Sequence, residues 1–319
     1  MDELFKVKEL NLSNNNINIL KDINLEVKKG EILGIIGESG SGKSTFIRAV
    51  TGMTKESEVI NKGSIIFDNK DLLKLSEKEM RKIRGKEIGV VFQNPASTIN
   101  PVIKIGKQFI EAVNVHEKTS KKECLERAEE LLKKLSMNDI RCILDGYTFE
   151  LSGGMNQRMA IALAMIMNPK LLICDEPTSA LDVTVQAQVV RELMSLRDEY
   201  ETSMIVVTHS MSVISKMADN IAVMYAGEIV EYGNKDMIIN NPVHPYTRAL
   251  INAVPKMNGP LPEPIKGSMH SFEKSITGCR FADRCIYFED ECRNIEYELT
   301  KISHNHSVRC RLGKEHKLI

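Results

Sequence analysis

Apolar positions repeat with two different periods along this chain, and the change of period marks its organisation. Residues 5–12 and 17–27 alternate apolar and polar side chains, the spacing of half-buried strands, and Lys29-Gly30 reads as a turn. Residues 31–36 are almost continuously apolar, which suits a strand covered on both faces. Residues 43–50 then read as helix, and 63–67 and 87–92 as further strands. From 103 to 135 the spacing lengthens to that of a helix, charge becomes dense over 118–134, and no strand signal interrupts it. Beyond that block the spacing predicts a helix over 156–167, a strand over 171–174 and a helix over 183–200. A strand over 203–207, a helix over 211–217 and a hairpin over 221–231 turning at Ala226-Gly227 follow. Strands alternating with helices imply a largely parallel sheet covered on both faces, here carrying a helical insertion.

Composition narrows the class. The 319 residues are 42% hydrophobic and 27% charged, as in ordinary globular proteins. Forty-three basic residues balance forty-three acidic ones, so no overall field draws the chain to nucleic acid, and no nucleic-acid partner is expected. The longest apolar run, residues 159–167, falls far short of the roughly 20 residues of a membrane span. The first residues lack a basic stretch followed by an apolar one, so a cytosolic chain with reduced or ligand-bound cysteines is expected.

Two segments carry phosphate chemistry. Gly37-Glu38-Ser39-Gly40-Ser41-Gly42-Lys43-Ser44 fits G-x-x-x-x-G-K-S/T between an apolar strand and a helix. Glycines let the backbone turn its N–H groups inward, and the helix start adds partial positive charge. Lys43 is suited to the β- and γ-phosphates and Ser44 to Mg²⁺, with Thr45 closing the set. The second segment, residues 171–176, uses four apolar residues to deliver Asp175 and Glu176 to the C-terminal end of a strand, where ligands of open parallel sheets bind. Asp175 can hold the metal, and Glu176 can polarise an attacking water as general base.

The glycine loop, Gln93, Leu151-Ser152-Gly153-Gly154, Asp175-Glu176, Ser179-Ala180-Leu181-Asp182 and His209 together resemble an ATP-binding cassette (ABC) ATPase over residues 5 to 235. The resemblance implies a P-loop, RecA-like α/β core with an antiparallel β subdomain, an inserted helical subdomain at about 97–167 and a loop-rich C-terminal extension. The nucleotide-binding domain would span 1–235 and the extension 236–319. It also implies that Gln93 contacts the metal or attacking water and that His209 bonds the γ-phosphate. Ser152, Gly153 and Gly154 would cap ATP held by an opposite subunit, with Asp182 at the subunit interface. Ser152 to Gly154 precede a helical run and so repeat the anion-binding helix start. One chain cannot easily aim both helix starts at one ATP, so a head-to-tail pair is expected. Met155 stands where Gln is common. No Phe, Tyr or Trp occurs from Lys6 through Thr45, so an aliphatic side chain near Leu12, or Phe5, is expected against the adenine.

The tail is distinct. Residues 241–250 (Asn-Pro-Val-His-Pro-Tyr-Thr-Arg-Ala-Leu), a proline-rich stretch through Pro264 and clustered cysteines resemble the extension of oligopeptide, dipeptide and nickel importer ATPases. That resemblance implies a peripheral subunit at the cytoplasmic membrane face that powers uptake of di- or oligopeptides. Its partners would be a second, different ATPase chain, two permease subunits and an extracellular solute-binding protein. A nickel or metal-chelate importer is the alternative, and a soluble non-transport cassette a more distant one. Cys279, Cys285, Cys292 and Cys310 are spaced by five, six and seventeen residues. Four thiolates can hold zinc or an iron–sulfur cluster, or the thiols can remain free. The absence of a C-x-x-C knuckle favours the larger group, and some members of the subfamily carry a four-iron four-sulfur cluster at such a set. ATP, Mg²⁺ and that cluster are therefore the expected cofactors.

Overall fold

Strands form where the sequence alternates or runs apolar. In the computed structural model, which describes residues 3–254, 265–269, 272 and 277–313, they are β1 (Glu3–Asn14), β2 (Ile17–Lys28), β3 (Ile32–Ile36), β4 (Glu58–Phe67), β5 (Lys70–Asp71), β6 (Ile88–Val91), β7 (Leu171–Asp175), β8 (Ser203–Thr208), β9 (Asn220–Tyr225), β10 (Glu228–Asn234), β11 (Thr300–Ser303) and β12 (His306–Val308). The chain divides into two compact units, each assembled from separated segments. One comprises Lys28–Glu31 and Lys74–Val207; the other comprises Glu3–Val27, Ile32–Leu73 and the residues from Thr208 onward. The prolines at 255, 260, 262 and 264 lie outside the described residues.

In the unit that contains the N-terminal strands, one sheet has the order β2-β1-β4-β5, with β1 antiparallel to β4 from Phe5↔Phe67 to Asn14↔Glu58. β4 thus begins at Glu58, well before the expected start at 63, because it follows β1 along its length. Inward-facing positions, shifted by one residue where Glu9 and Asp22 take φ of 46° and 49°, bury Phe5, Leu10, Leu12, Leu20 and Ile23 completely. Phe5 and Leu12 themselves are therefore turned into the core. The other strands run β11-β12-β10-β9-β3, in which only β3 and β9 are parallel. All five residues of β3 are buried, as its unbroken apolar pattern requires.

The β9–β10 hairpin turns at Ala226 and Gly227, with φ of 44° and 83°. Two left-handed residues give the turn whose twist matches the flanking strands. The tip is also wedged in place: Gly227 donates its N–H to the Ser41 carbonyl at 2.8 Å and accepts the Lys21 N–H at 2.9 Å. A Cβ at Gly227 would lie 1.7 Å from the Ile19 carbonyl oxygen. Gly227→Ala is therefore expected to cost about 3 kcal/mol or more, combining backbone strain with a clash against fixed backbone. Urea denaturation would read this, and a loss below 1 kcal/mol would contradict the wedge.

The other unit holds the parallel order β8-β7-β6, paired from Ile88↔Leu171 and from Leu171↔Ser203. The helical block expected over 103–135 is helical but broken: helices Ile105–Asn114 and Lys121–Lys134 are joined by a loop. The Asn114 side chain accepts the Thr119 N–H at 3.3 Å, and Ser120 caps the second helix by accepting the Glu123 N–H at 3.2 Å. Short polar side chains here outcompete helix continuation. Helix Gly153–Met165 packs on Lys121–Lys134 and on β6. Among the described residues no helix is long and apolar enough to cross a membrane.

Candidate nucleotide-binding site

The glycine loop leaves β3 and enters the helix Lys43–Thr51. A Cβ at Gly37 would sit 2.2 Å from the Met224 carbonyl oxygen, so the loop's first residue must be glycine for the backbone to lie this close to β9. Gly40 and Gly42 hold φ of 82° and 106°. The Lys43 ammonium folds back over the loop, donating to the carbonyls of Gly37 at 2.7 Å and Glu38 at 2.8 Å and to Ser41 Oγ at 3.4 Å. It is 7% exposed, so its charge is held close to the concave backbone. Ser39, Gly40 and Ser44 face solvent, and Thr45 accepts a hydrogen bond from Arg48 at 3.0 Å.

In the other unit, β7 ends at Asp175, and Asp175 and Glu176 are both buried. Glu176 adopts φ of 50° and donates its N–H to the Val207 carbonyl at 2.8 Å. A non-glycine residue in this region is strained, and such strain is characteristic of functional positions. Gln93 is exposed just beyond β6. The register Val91↔Cys174 brings Gln93 and the two carboxylates out at the same edge of the sheet. His209 follows the last residue of β8 and is exposed.

Ser152 caps the helix Gly153–Met165 by accepting the Met155 N–H at 3.3 Å. A Cβ at Gly153 would meet nothing within 4 Å, whereas one at Gly154 would touch Val185 at 3.0 Å. Asp182 caps helix Val183–Tyr200, accepting the N–H groups of Thr184 and Val185 at 3.0 Å each. These two capped helices are tied by a buried ion pair that the sequence pattern did not disclose, Arg158 Nε to Glu192 at 2.9 and 3.1 Å. Its only sequence signal is one charge on the otherwise apolar inner face of each helix.

The tail cysteines require a correction. Cys279, Cys285, Cys292 and Cys310 are free thiols around one small apolar pocket with Phe281 and Tyr297. Yet no three His, Cys, Asp or Glu side chains among the described residues form a group that could hold a metal ion. The four-iron four-sulfur cluster expected at these positions is thereby overturned. Spacing along the chain counted the sulfurs but not the turns between them. The Cys279 N–H is bonded to the Cys292 carbonyl at 2.7 Å, and a short 3₁₀ turn, Ala282–Arg284, separates Cys279 from Cys285. Burial pushes the Cys279 thiol up to about 12 and the Cys310 thiol to about 11, and raises Cys285 as well. In this setting the four thiols line the pocket as small hydrophobes. His306 is buried with its Nε2 at 2.7 Å from Glu231.

A glycine loop between a buried strand and a helix, with paired carboxylates at the end of a parallel strand, defines a P-loop ATPase of the RecA-like α/β type. The ABC transporter family model matches residues 20–179, and a second model, for the oligopeptide/dipeptide transporter C-terminal region, matches residues 230–292. The oligopeptide transport ATP-binding protein AppD of Bacillus subtilis is 40% identical over 296 residues, covering 92% of this chain and 90% of that one. The oligopeptide transport ATP-binding protein OppD of Escherichia coli is 39% identical over 297 residues, covering 91% and 88%. Among solved structures, cbiO1 of Clostridium perfringens, part of the ABC transporter complex cbiONQ, aligns with a TM-score of 0.65 and 32% identity over 76% of this chain and 92% of that one. The dimeric bacterial ABC transporter cassette MJ0796 aligns with a TM-score of 0.65 and 29% identity over 73% and 99%. The chain belongs to the ABC transporter family, as one of its ATP-binding subunits.

Proposed function

We propose that this chain is the ATP-hydrolysing subunit of an importer of di- and oligopeptides, attached peripherally to the cytoplasmic face of the membrane. The observation that carries the reading is the match of residues 230–292 to the oligopeptide/dipeptide transporter C-terminal region. Relatives named for oligopeptide transport and alike along nine-tenths of the chain support peptides over a nickel or metal-chelate cargo. The proposed division places the nucleotide-binding domain at 1–235, with a helical subdomain at about 97–167 whose block 97–150 would carry the permease contact, and the importer extension at 236–319.

Roles follow from the chemistry at each position. Bound MgATP supplies the phosphoanhydride to be cleaved. Lys43 would exchange its carbonyl partners for phosphate oxygens, and N–H groups of the loop from Gly40 to Thr45 would cradle them. Ser44, Gln93 and Asp175 would hold Mg²⁺, Glu176 would take the proton of the attacking water, and His209 would donate to the γ-phosphate. Ser152, Gly153 and Gly154 present a capped helix start, suited to the γ-phosphate of ATP on a second ATPase chain, with Asp182 beside that interface. The second ATPase, two permeases and a solute-binding protein complete the proposed assembly.

Uptake in cells lacking this gene tests the reading. Accumulation of a labelled tripeptide is expected to fall about tenfold or more and to return with the wild-type gene. Intact peptide uptake with lost nickel uptake would overturn it.

A further inference from the structure

Residues from far along the chain hold the phosphate loop at Glu38. Arg284 places both arms of its guanidinium on the Glu38 carboxylate, at 2.7 Å (Nη1 to Oε2) and 3.0 Å (Nη2 to Oε1). The Glu38 N–H donates to the Tyr246 hydroxyl at 2.9 Å, and its carbonyl accepts Lys43 Nζ at 2.8 Å. All three polar groups of this one residue are therefore fixed, two of them from beyond residue 240. Arg284 is itself set firmly. Its side chain is 4% exposed, it lies over the Tyr225 and Phe281 rings at 5.7 and 5.8 Å, and Nη1 also reaches the Tyr225 hydroxyl at 3.3 Å. Tyr225, Tyr246 and Phe281 pack against one another with centroids 4.6 to 5.4 Å apart.

A carboxylate is a costly residue in a loop that must receive polyphosphate, because it repels the ligand in a region of reduced dielectric. A bidentate guanidinium cancels that charge and fixes its orientation together. An aromatic seat of this kind keeps the guanidinium in place before any nucleotide arrives, which is preorganisation.

We propose that the C-terminal extension is part of the nucleotide site, with Arg284 a positioning residue that neutralises Glu38 and sets the phosphate loop for ATP, assisted by Tyr246. This rests on reading residues 37–45 as the ATP site. Removing Arg284 exposes the loop to the Glu38 charge; removing that charge as well relieves the defect.

Calorimetric titration of the full chain with MgATP tests this. Arg284→Ala is expected to weaken binding about tenfold, the order expected of one uncompensated charge near the ligand. Arg284→Lys, which keeps the charge without the fork, should lose about threefold or less. The decisive variant is the double, Arg284→Ala with Glu38→Gln, which should recover most of the affinity lost by Arg284→Ala. Wild-type affinity in Arg284→Ala would overturn the proposal. So would a double variant as weak as Arg284→Ala, since Arg284 would then act only as structural support. If Arg284→Ala does not fold, Arg284→Gln fills the same space, and the same comparison with its Glu38→Gln double decides. A wild-type chain that binds no MgATP would instead overturn the nucleotide reading itself, and the brace with it.

Discussion

Glu176→Gln is expected to bind MgATP within about threefold of wild type while its turnover falls by roughly two to three orders of magnitude, the usual contribution of a general base. The variant is nearly isosteric. The backbone at position 176 is held by its own N–H donating to the Val207 carbonyl at 2.8 Å, so the side-chain change leaves the local geometry standing. What is lost is only the capacity to take a proton from water. The strained φ of 50° at this residue argues in the same direction, because the chain accepts that cost at a position where a glycine would avoid it. Phosphate release under saturating MgATP, beside an equilibrium titration, separates the two quantities. Turnover within threefold of wild type would remove Glu176 from the base role.

Lys43→Ala should fail one step earlier, at binding. The ammonium is nearly buried and already turned over the loop, on the Gly37 and Glu38 carbonyls and Ser41 Oγ. A phosphate entering the loop meets a cation already in place, with little desolvation left to supply. Without it, MgATP affinity is expected to fall about 100-fold, equivalent to roughly 2.7 kcal/mol. Affinity within threefold of wild type in a folded variant would show that the loop's N–H groups suffice alone. The two variants form a pair: one loses turnover and keeps binding, the other loses affinity.

Much of the frame was legible along the chain because local chemistry dictates it. The unbroken apolar run of β3, the glycine loop and the helix Lys43–Thr51 need only neighbours in sequence to form, and they lie where the pattern put them. Ser152 and Asp182 are caps for the same reason, since each serves N–H groups within three residues of itself. The break between Asn114 and Ser120 was less plain, because a few short polar side chains there override a helical period that continues on both sides.

The misreadings share a cause. Phe5 is a candidate to lie against adenine from the sequence, but β1, with its register shift after Lys8, sends it into the core. The four tail cysteines share one apolar pocket, but among the described residues they form no group that could hold a metal ion. Burial and convergence depend on which distant strand lies opposite, and a one-dimensional pattern does not carry that.

The sequence by itself determined the α/β class, the phosphate loop with its helix start, and the motif set of an ATP-binding cassette, because these rest on residues close together in the chain. Only the tertiary structure decided what surrounds the loop. The hairpin tip at Gly227 seals Ser41, and Arg284, 246 residues beyond Glu38, closes on its carboxylate. A charge pair across that separation costs chain entropy that only the folded strands and their aromatic seat can offset, so no local pattern could have announced it.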